Sequence, residues 1–515
     1  VLDFHYNNKK LVMRHTRLLY IISLPLILAG CTRLEEKLNG EVAGSSVGGG
    51  SANTAALVRG LYDAMRSPYQ DQSRFWAAQE HTSDECIGPT RGGDWDDNGV
   101  WRTLHVHRWD GDHLFLRQTF EDLGGVIYSS TDLLRFNPSP QQQAEARFLR
   151  AFAMFSMLDG WNQVPYREPG GSALEAPKVR KGMEALDFII AEVNAIMNDL
   201  PATPANRANK DAARVLLMKC YLNKGVIANR ATPTFAAADM QQVVTLADQI
   251  INSAKYSLAN NYFDNFAPNN DAISTENIFT AENIGGSSSG NVRSRWFCTL
   301  HYNNNPSGWN GFTTLSDFYN KFDAADLRRS QSYPGVTNVS GIKPGFLVGQ
   351  QFDQNGVALK DRGGRPLAFT PEVKAIEIGT NLEVTGIRVI KYPIDYSSGD
   401  NSNNDYVYYR YADVLLMKAE ALLRNNGAAA ALPIVNSVRT KRGIGALASV
   451  NLDQLLDERG REFYWEGMRR NDLVRFGKFL QPWQEKPTDD PRNLLFPIPN
   501  QQIAANPNLE QNPGY

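Results

Sequence analysis

The chain has 515 residues, with 53 Lys and Arg against 55 Asp and Glu and a formal net charge of −2. That balance offers no basic field for phosphates, which excludes a nucleic-acid partner. The four cysteines, at 31, 86, 220 and 298, form no CxxC pair and no zinc spacing.

In chain order, the first signal is a segment for export. Arg14, His15 and Arg17 precede an apolar run from Leu18 to Leu28. The run has the length of a signal-peptide core and falls short of the roughly 20 apolar residues a spanning helix needs. It ends in Leu28-Ala29-Gly30-Cys31, which resembles a bacterial lipobox: cleavage before Cys31 and lipid on its sulfur. Residues 1–30 are therefore expected to be a signal peptide. Residues 1–12 precede Met13, fit no part of that signal, and read as an extension of the true start. Residues 31–51 read as a lipidated tether, flexible over the Gly/Ser-rich 44–51. Glu35 and Glu36 resemble the export signal of lipoproteins that face outward. Several acyl chains on one cysteine give stable anchoring. Three cysteines then remain, enough for at most one disulfide.

The body reads as mainly α. Thr54 to Met65 carries Ala56, Leu57, Leu61 and Met65 at helical spacing. Leu114 to Leu134, Gln141 to Leu158, Ala185 to Leu200, Asp211 to Val226 and Ala238 to Ser253 follow. Four more close the chain: Tyr409 to Leu423, Ala428 to Arg439, Leu452 to Trp465 and Arg469 to Phe476. Small residues at the contacts of successive pairs predict tetratricopeptide-like helix pairs, an α-α superhelix, with a plain bundle as the alternative. Two stretches break the pattern. Residues 67–112 form an insertion between the first two helices. Residues 281–404 are rich in Gly, Asn, Ser and Pro, with short candidate strands such as Arg388 to Tyr392. Long irregular insertions on a rigid scaffold usually carry binding. The expected organisation is a helical region over 52–280 with a substrate loop at 67–112, a loop-rich, small-strand binding subdomain over 281–404, and a helical region with a tail over 405–515.

The C-terminal blocks carry a specific resemblance. They run Tyr409-Arg410-Tyr411-Ala412-Asp413-Val414-Leu415-Leu416-Met417, then Glu458-Arg459-Gly460-Arg461-Glu462-Phe463-Tyr464-Trp465-Glu466-Gly467-Met468-Arg469-Arg470, then Leu495-Phe496-Pro497-Ile498-Pro499. With Ala146 to Ala151 and Val164-Pro165-Tyr166, they resemble the SusD/RagB family of outer-membrane nutrient-binding lipoproteins. Asn471 stands where that family usually has an aromatic, a departure expected to alter local packing only. The resemblance implies a non-catalytic surface protein that captures oligosaccharide. It also implies a partner, a SusC-like TonB-dependent transporter, over which the lipoprotein sits as a hinged lid. A peptide-binding member and a secreted glycan-active enzyme are the alternatives.

Other chemistry is weak in this sequence. Glu458 and Glu462 share a helix face and could be taken for a glycosidase pair, but neighbouring arginines keep both ionised. A salt-bridged structural helix is the expectation. Gly286 to Gly290 matches a nucleophile-elbow pattern around Ser288 without the helix that must follow it. His81, Asp84, Glu85 and Cys86 fit no named metal site. Asp94, Asp96 and Asn98 alternate as in a calcium loop, but the required Gly and Glu do not follow. No cofactor is expected, with calcium at that loop as the exception to test.

Saccharide rings have apolar C–H faces ringed by hydroxyls, so a site needs exposed aromatic planes flanked by planar hydrogen-bonding groups. The first insertion has that mixture in Arg91-Gly92-Gly93-Asp94-Trp95-Asp96-Asp97-Asn98-Gly99-Val100-Trp101. The second has Trp296, Tyr302 and Trp309 around Asn303-Asn304-Asn305. Trp95 and Asn98 fall where the family's first substrate loop places a stacking aromatic and an amide. Trp95 and Trp309 are the expected platforms, and Arg91, Asp96 and Asn98 the leading hydroxyl contacts. Trp101, Trp296 and Tyr302 are further candidates. Trp76, Trp109, Trp161, Trp465 and Trp483 are expected to pack.

Overall fold

A computed structural model describes residues 53–515, apart from 173, 288 and 289. The lipobox at Cys31, the tether and Ser288 lie outside the described residues. The helical expectation holds: the chain is mainly helical with a few short strands and paired, packed helices. Among the described residues, no helix is long and apolar enough to cross a membrane.

The helices Leu114–Leu133, Pro140–Trp161, Gly182–Ile196, Lys210–Ala228 and Ala237–Ile251 pack each on the next, and Tyr411–Arg424 and Ala428–Lys441 continue the series. Local chemistry sets their ends. Ser139 accepts from the Gln142 amide while Gln142 reaches back to the Ser139 N–H, and Pro140 supplies a pre-set φ at the first turn. Asn162 ends the same helix in the left-handed region at φ 61°. Asn451 and Gln454 repeat the reciprocal cap before Leu452–Phe463. Between two neighbours, Pro140–Trp161 is buried on nearly every face from Ala144 onward.

Two boundaries differ from expectation. Tyr409 and Arg410 end a strand, Tyr406–Arg410, and the helix begins at Tyr411. The aromatic and β-branched run Tyr406-Val407-Tyr408-Tyr409 favours a pleated, buried surface, and it pairs antiparallel with Asn277–Ala281. The insertion at 67–112 is also more ordered than a loop: it holds helices at Arg66–Gln70, Phe75–Glu80 and Val100–His105 and the strand Thr90–Trp95. The expected strand near Arg388 is present at Arg388–Ile390.

The Glu458 helix is salt-bridged, as expected, and its partners reach far beyond the helix itself. Glu462 is fully buried and accepts from three distant guanidiniums, Arg328 at 2.9 Å, Arg410 at 2.7 Å and Arg442 at 2.8 Å. Glu458 pairs with Arg461 one turn on, and also with Arg328 and Arg439. Burial alone would raise both carboxyls, but the arginines outweigh it and hold Glu462 well below the usual range and Glu458 below it. Neither can serve as a proton donor. Asn471 does more than alter packing: its amide donates to Asp159 at 2.7 Å and accepts from Arg475 at 2.6 Å. Cys86, Cys220 and Cys298 are all buried free thiols.

Candidate ligand-binding site

The site begins with a strand that ends in an unusual turn. Thr90–Trp95 runs parallel to Ile376–Glu377, with Thr90 opposite Ile376 and Arg91 opposite Glu377. The chain then visits the left-handed region at Trp95 (φ 62°), Asp97 (φ 42°), Asn98 (φ 55°) and Gly99 (φ 79°). Non-glycine residues at positive φ cost energy and persist only where the surroundings dictate them. Here Asp96 pairs with Arg102, Asp97 accepts from Trp101, and the Trp95 indole Nε1 donates to the carbonyl of Trp309 at 2.9 Å. The two rings lie 6.3 Å apart, tilted by 49°.

Gly311 makes this approach possible. A Cβ there would sit 2.3 Å from Trp95 Cζ2, so any side chain would push the indole away. Trp309 is 46% exposed, with its edge against Phe297 at 5.2 Å. Trp95 is half-buried, backed by Phe312 at 5.0 Å and Trp101 at 5.9 Å. One tryptophan thus presents a face to solvent while the other links the surface to the aromatic core.

Three of the expected contacts face inward. Trp101 and Trp296 are each 3% exposed. Trp101 gives its Nε1 to Asp97 at 2.8 Å and its ring to Phe115 at 4.5 Å, so it packs rather than stacks on a ligand. Trp296 is enclosed by the core beneath the second insertion. Arg91 is 5% exposed, and its guanidinium is spent on protein oxygens: the carbonyls of Asn310 at 2.7 Å, Gly311 at 2.6 Å and Thr385 at 2.9 Å. Burial holds Arg91 down to about 10. Its role is to tie the Trp95 strand to the Trp309 turn.

The remaining candidates are accessible. Asn98 is exposed, and its amide makes no hydrogen bond to the described residues. Asp96 is half-exposed and paired with Arg102. Asp97, beside it, is taken up by Trp101, so two of the loop's carboxylates already have partners. Among the described residues, no group of three or more His, Cys, Asp or Glu could hold a metal ion. Tyr302 reaches Asp94 through its hydroxyl at 3.4 Å, which brings the second insertion alongside the first.

A second wall was missed by sequence reasoning. Arg362 lies over the Tyr302 ring at 3.9 Å and pairs with Glu383 at 2.6 Å. His301 approaches the same carboxylate through Nε2 at 2.9 Å. These residues come from three segments, with Arg362 and Glu383 21 positions apart and His301 and Glu383 82 apart, and no local motif connects them.

A SusD family model matches residues 244–515, more than half of the chain. The chain belongs to the SusD family. Its members are binding proteins without catalytic activity. The starch-binding protein SusD of Bacteroides thetaiotaomicron is 27% identical over 420 residues, 73% of either chain. Among solved structures, surface glycan-binding protein A from Bacteroides uniformis superposes with a TM-score of 0.68 at 19% identity, covering 89% of this chain and 98% of its own. The protein of the same name from Bacteroides thetaiotaomicron, in complex with laminarihexaose, gives 0.63 at 18% identity over 89% and 98%. At such identities the structures establish the fold alone.

Proposed function

We propose that this SusD-family chain is a cell-surface glycan-binding lipoprotein that captures oligosaccharide and delivers it to a SusC-like TonB-dependent outer-membrane transporter. One observation carries the binding reading. Two tryptophans from loops far apart in sequence meet through the Trp95–Trp309 hydrogen bond at an open surface rimmed by Asn98, Asp94 and Tyr302. Aromatic planes beside hydroxyl-binding groups are the chemistry a pyranose requires. The starch-binding and glycan-binding names of the relatives support the same class of ligand.

In this reading Trp309 is the stacking plane, Trp95 its buttress and partial second plane, and Asn98 and Asp96 are hydroxyl contacts. Cys31 carries the lipid and holds the protein to the outer membrane, facing outward. Such an open site covers little of each sugar, which gives modest affinity per ring. Calorimetry with maltohexaose and laminarihexaose tests the assignment. Trp309→Ala is expected to weaken binding of the preferred sugar about tenfold, the loss of a single stacking contact of about 1.4 kcal/mol. Trp95→Ala is expected to cost at least as much. Unchanged affinity in both variants, with folding intact, would sink the platform.

A further inference from the structure

We infer that Arg362 is a specificity-determining residue of this site, one that selects glycans presenting two adjacent free hydroxyls on their internal rings. The inference rests on the platform reading above and names the substrate class within it.

Arg362 is oriented before any ligand arrives. Its Nε donates to Glu383 Oε1 at 2.6 Å and its backbone N–H to Oε2 at 3.2 Å. Glu383 is itself fixed from below by His301. Burial lowers the His301 pKa, which favours the neutral ring, and Nδ1 accepts from the Asn303 N–H at 3.0 Å. Nε2–H is then the donor to Glu383, so the whole chain of bonds has one sense. Partial burial would raise Glu383, but the bonds from Arg362 and His301 prevail and hold it below the usual range. The guanidinium rests on Tyr302, whose hydroxyl meets Asp94, the neighbour of Trp95.

What remains of Arg362 faces outward. Its side chain is 52% exposed, and neither Nη group donates to the described residues. A planar guanidinium fork suits two oxygens side by side. Its positive charge is already met by Glu383, with Asp94 close by. The unmet demand is therefore for neutral acceptors in a pair rather than for an anion. A 1,4-linked or 1,6-linked hexopyranose offers such a pair on every internal ring, the hydroxyls at C2 and C3. A 1,3-linked chain has spent its C3 oxygen in the linkage, and its internal rings carry no adjacent pair.

The test is calorimetry on the folded protein with maltohexaose, which is 1,4-linked, and laminarihexaose, which is 1,3-linked. The unmodified protein is expected to prefer maltohexaose about tenfold, in line with hydrogen bonds to a charged donor. Arg362→Met is expected to erase that preference by weakening maltohexaose alone. Arg362→Lys keeps the charge, loses the fork, and is expected not to restore it. Near-UV circular dichroism of the tryptophans checks that each variant keeps the platform. Equal affinity for the two sugars, or equal losses in Arg362→Met, overturns the inference and leaves the platform reading standing. Binding of neither sugar to the unmodified protein overturns both.

Discussion

Two regions of this molecule use the same residue types to opposite ends. Around Glu462, arginines and carboxylates are sealed from water and matched to one another, three guanidiniums to one carboxylate. Around Trp95 and Trp309, the buried Arg91 meets only backbone carbonyls and a threonine hydroxyl, and the acids lie outside on the rim. The first arrangement ties distant segments into one body. The second shapes a loop so that its aromatic rings and amides stay free. Interior charge needs ion partners or good hydrogen-bond acceptors, and where ions share one partner, removing it leaves the others exposed to the cost of desolvation. Carbonyl-bound arginine instead fixes backbone without consuming side chains that a ligand could use.

The contrast can be broken most strongly at Glu462. Glu462→Ala leaves Arg328, Arg410 and Arg442 short of a shared partner, and an expected loss of about 3–5 kcal/mol should appear in denaturant unfolding. A change below about 1 kcal/mol would mean the cluster is not the clamp described here. Gly311→Ala probes the other region. The added methyl meets Trp95 and the Cys298 carbonyl, overpacking that costs about 1–3 kcal/mol. Sugar affinity should fall with it, through displacement of the indole. Retained affinity would show that the position of Trp95 is unimportant.

The smallest effect at any single pH comes from titration, and it separates paired from unpaired burial. Glu462, held low, contributes stability above the ordinary carboxylate range, which is lost as pH falls through its folded value. Asp405 behaves oppositely. Burial pushes it up to about 7, only partly offset by bonds from the Asn283 N–H and the Thr280 hydroxyl. The unfolded chain then releases that proton near pH 4 while the folded chain keeps it, so its contribution to stability declines as pH rises from about 4 to 7. Asp405→Asn should flatten that decline relative to the unmodified protein. Identical slopes in thermal melts across the interval would contradict the shift.

The helices were legible because their signals are local. Ser139 with Gln142, Asn451 with Gln454 and the apolar spacing of Lys210–Ala228 each act within a turn or two of chain. The family blocks were legible for a related reason: Glu458 to Arg470 is a dense run whose residue types leave few alternatives. Their partners were not, since Arg328 and Arg410 lie far off in sequence and reach Glu462 only through the fold.

The site divides along the same line. By itself, the sequence determined that two polar, Gly-rich loops carry tryptophans beside Asn and Asp, a composition with nothing local to bury an aromatic ring. Only the tertiary structure decided which rings stay accessible. Trp101 and Trp309 both follow polar, Gly-containing stretches, yet one closes onto Phe312 and the other keeps a face in solvent. It also turned Arg91 inward and brought Arg362, Glu383 and His301 to the rim. Side-chain exposure depends on where a loop lands against the core, and that is set by contacts between segments hundreds of residues apart.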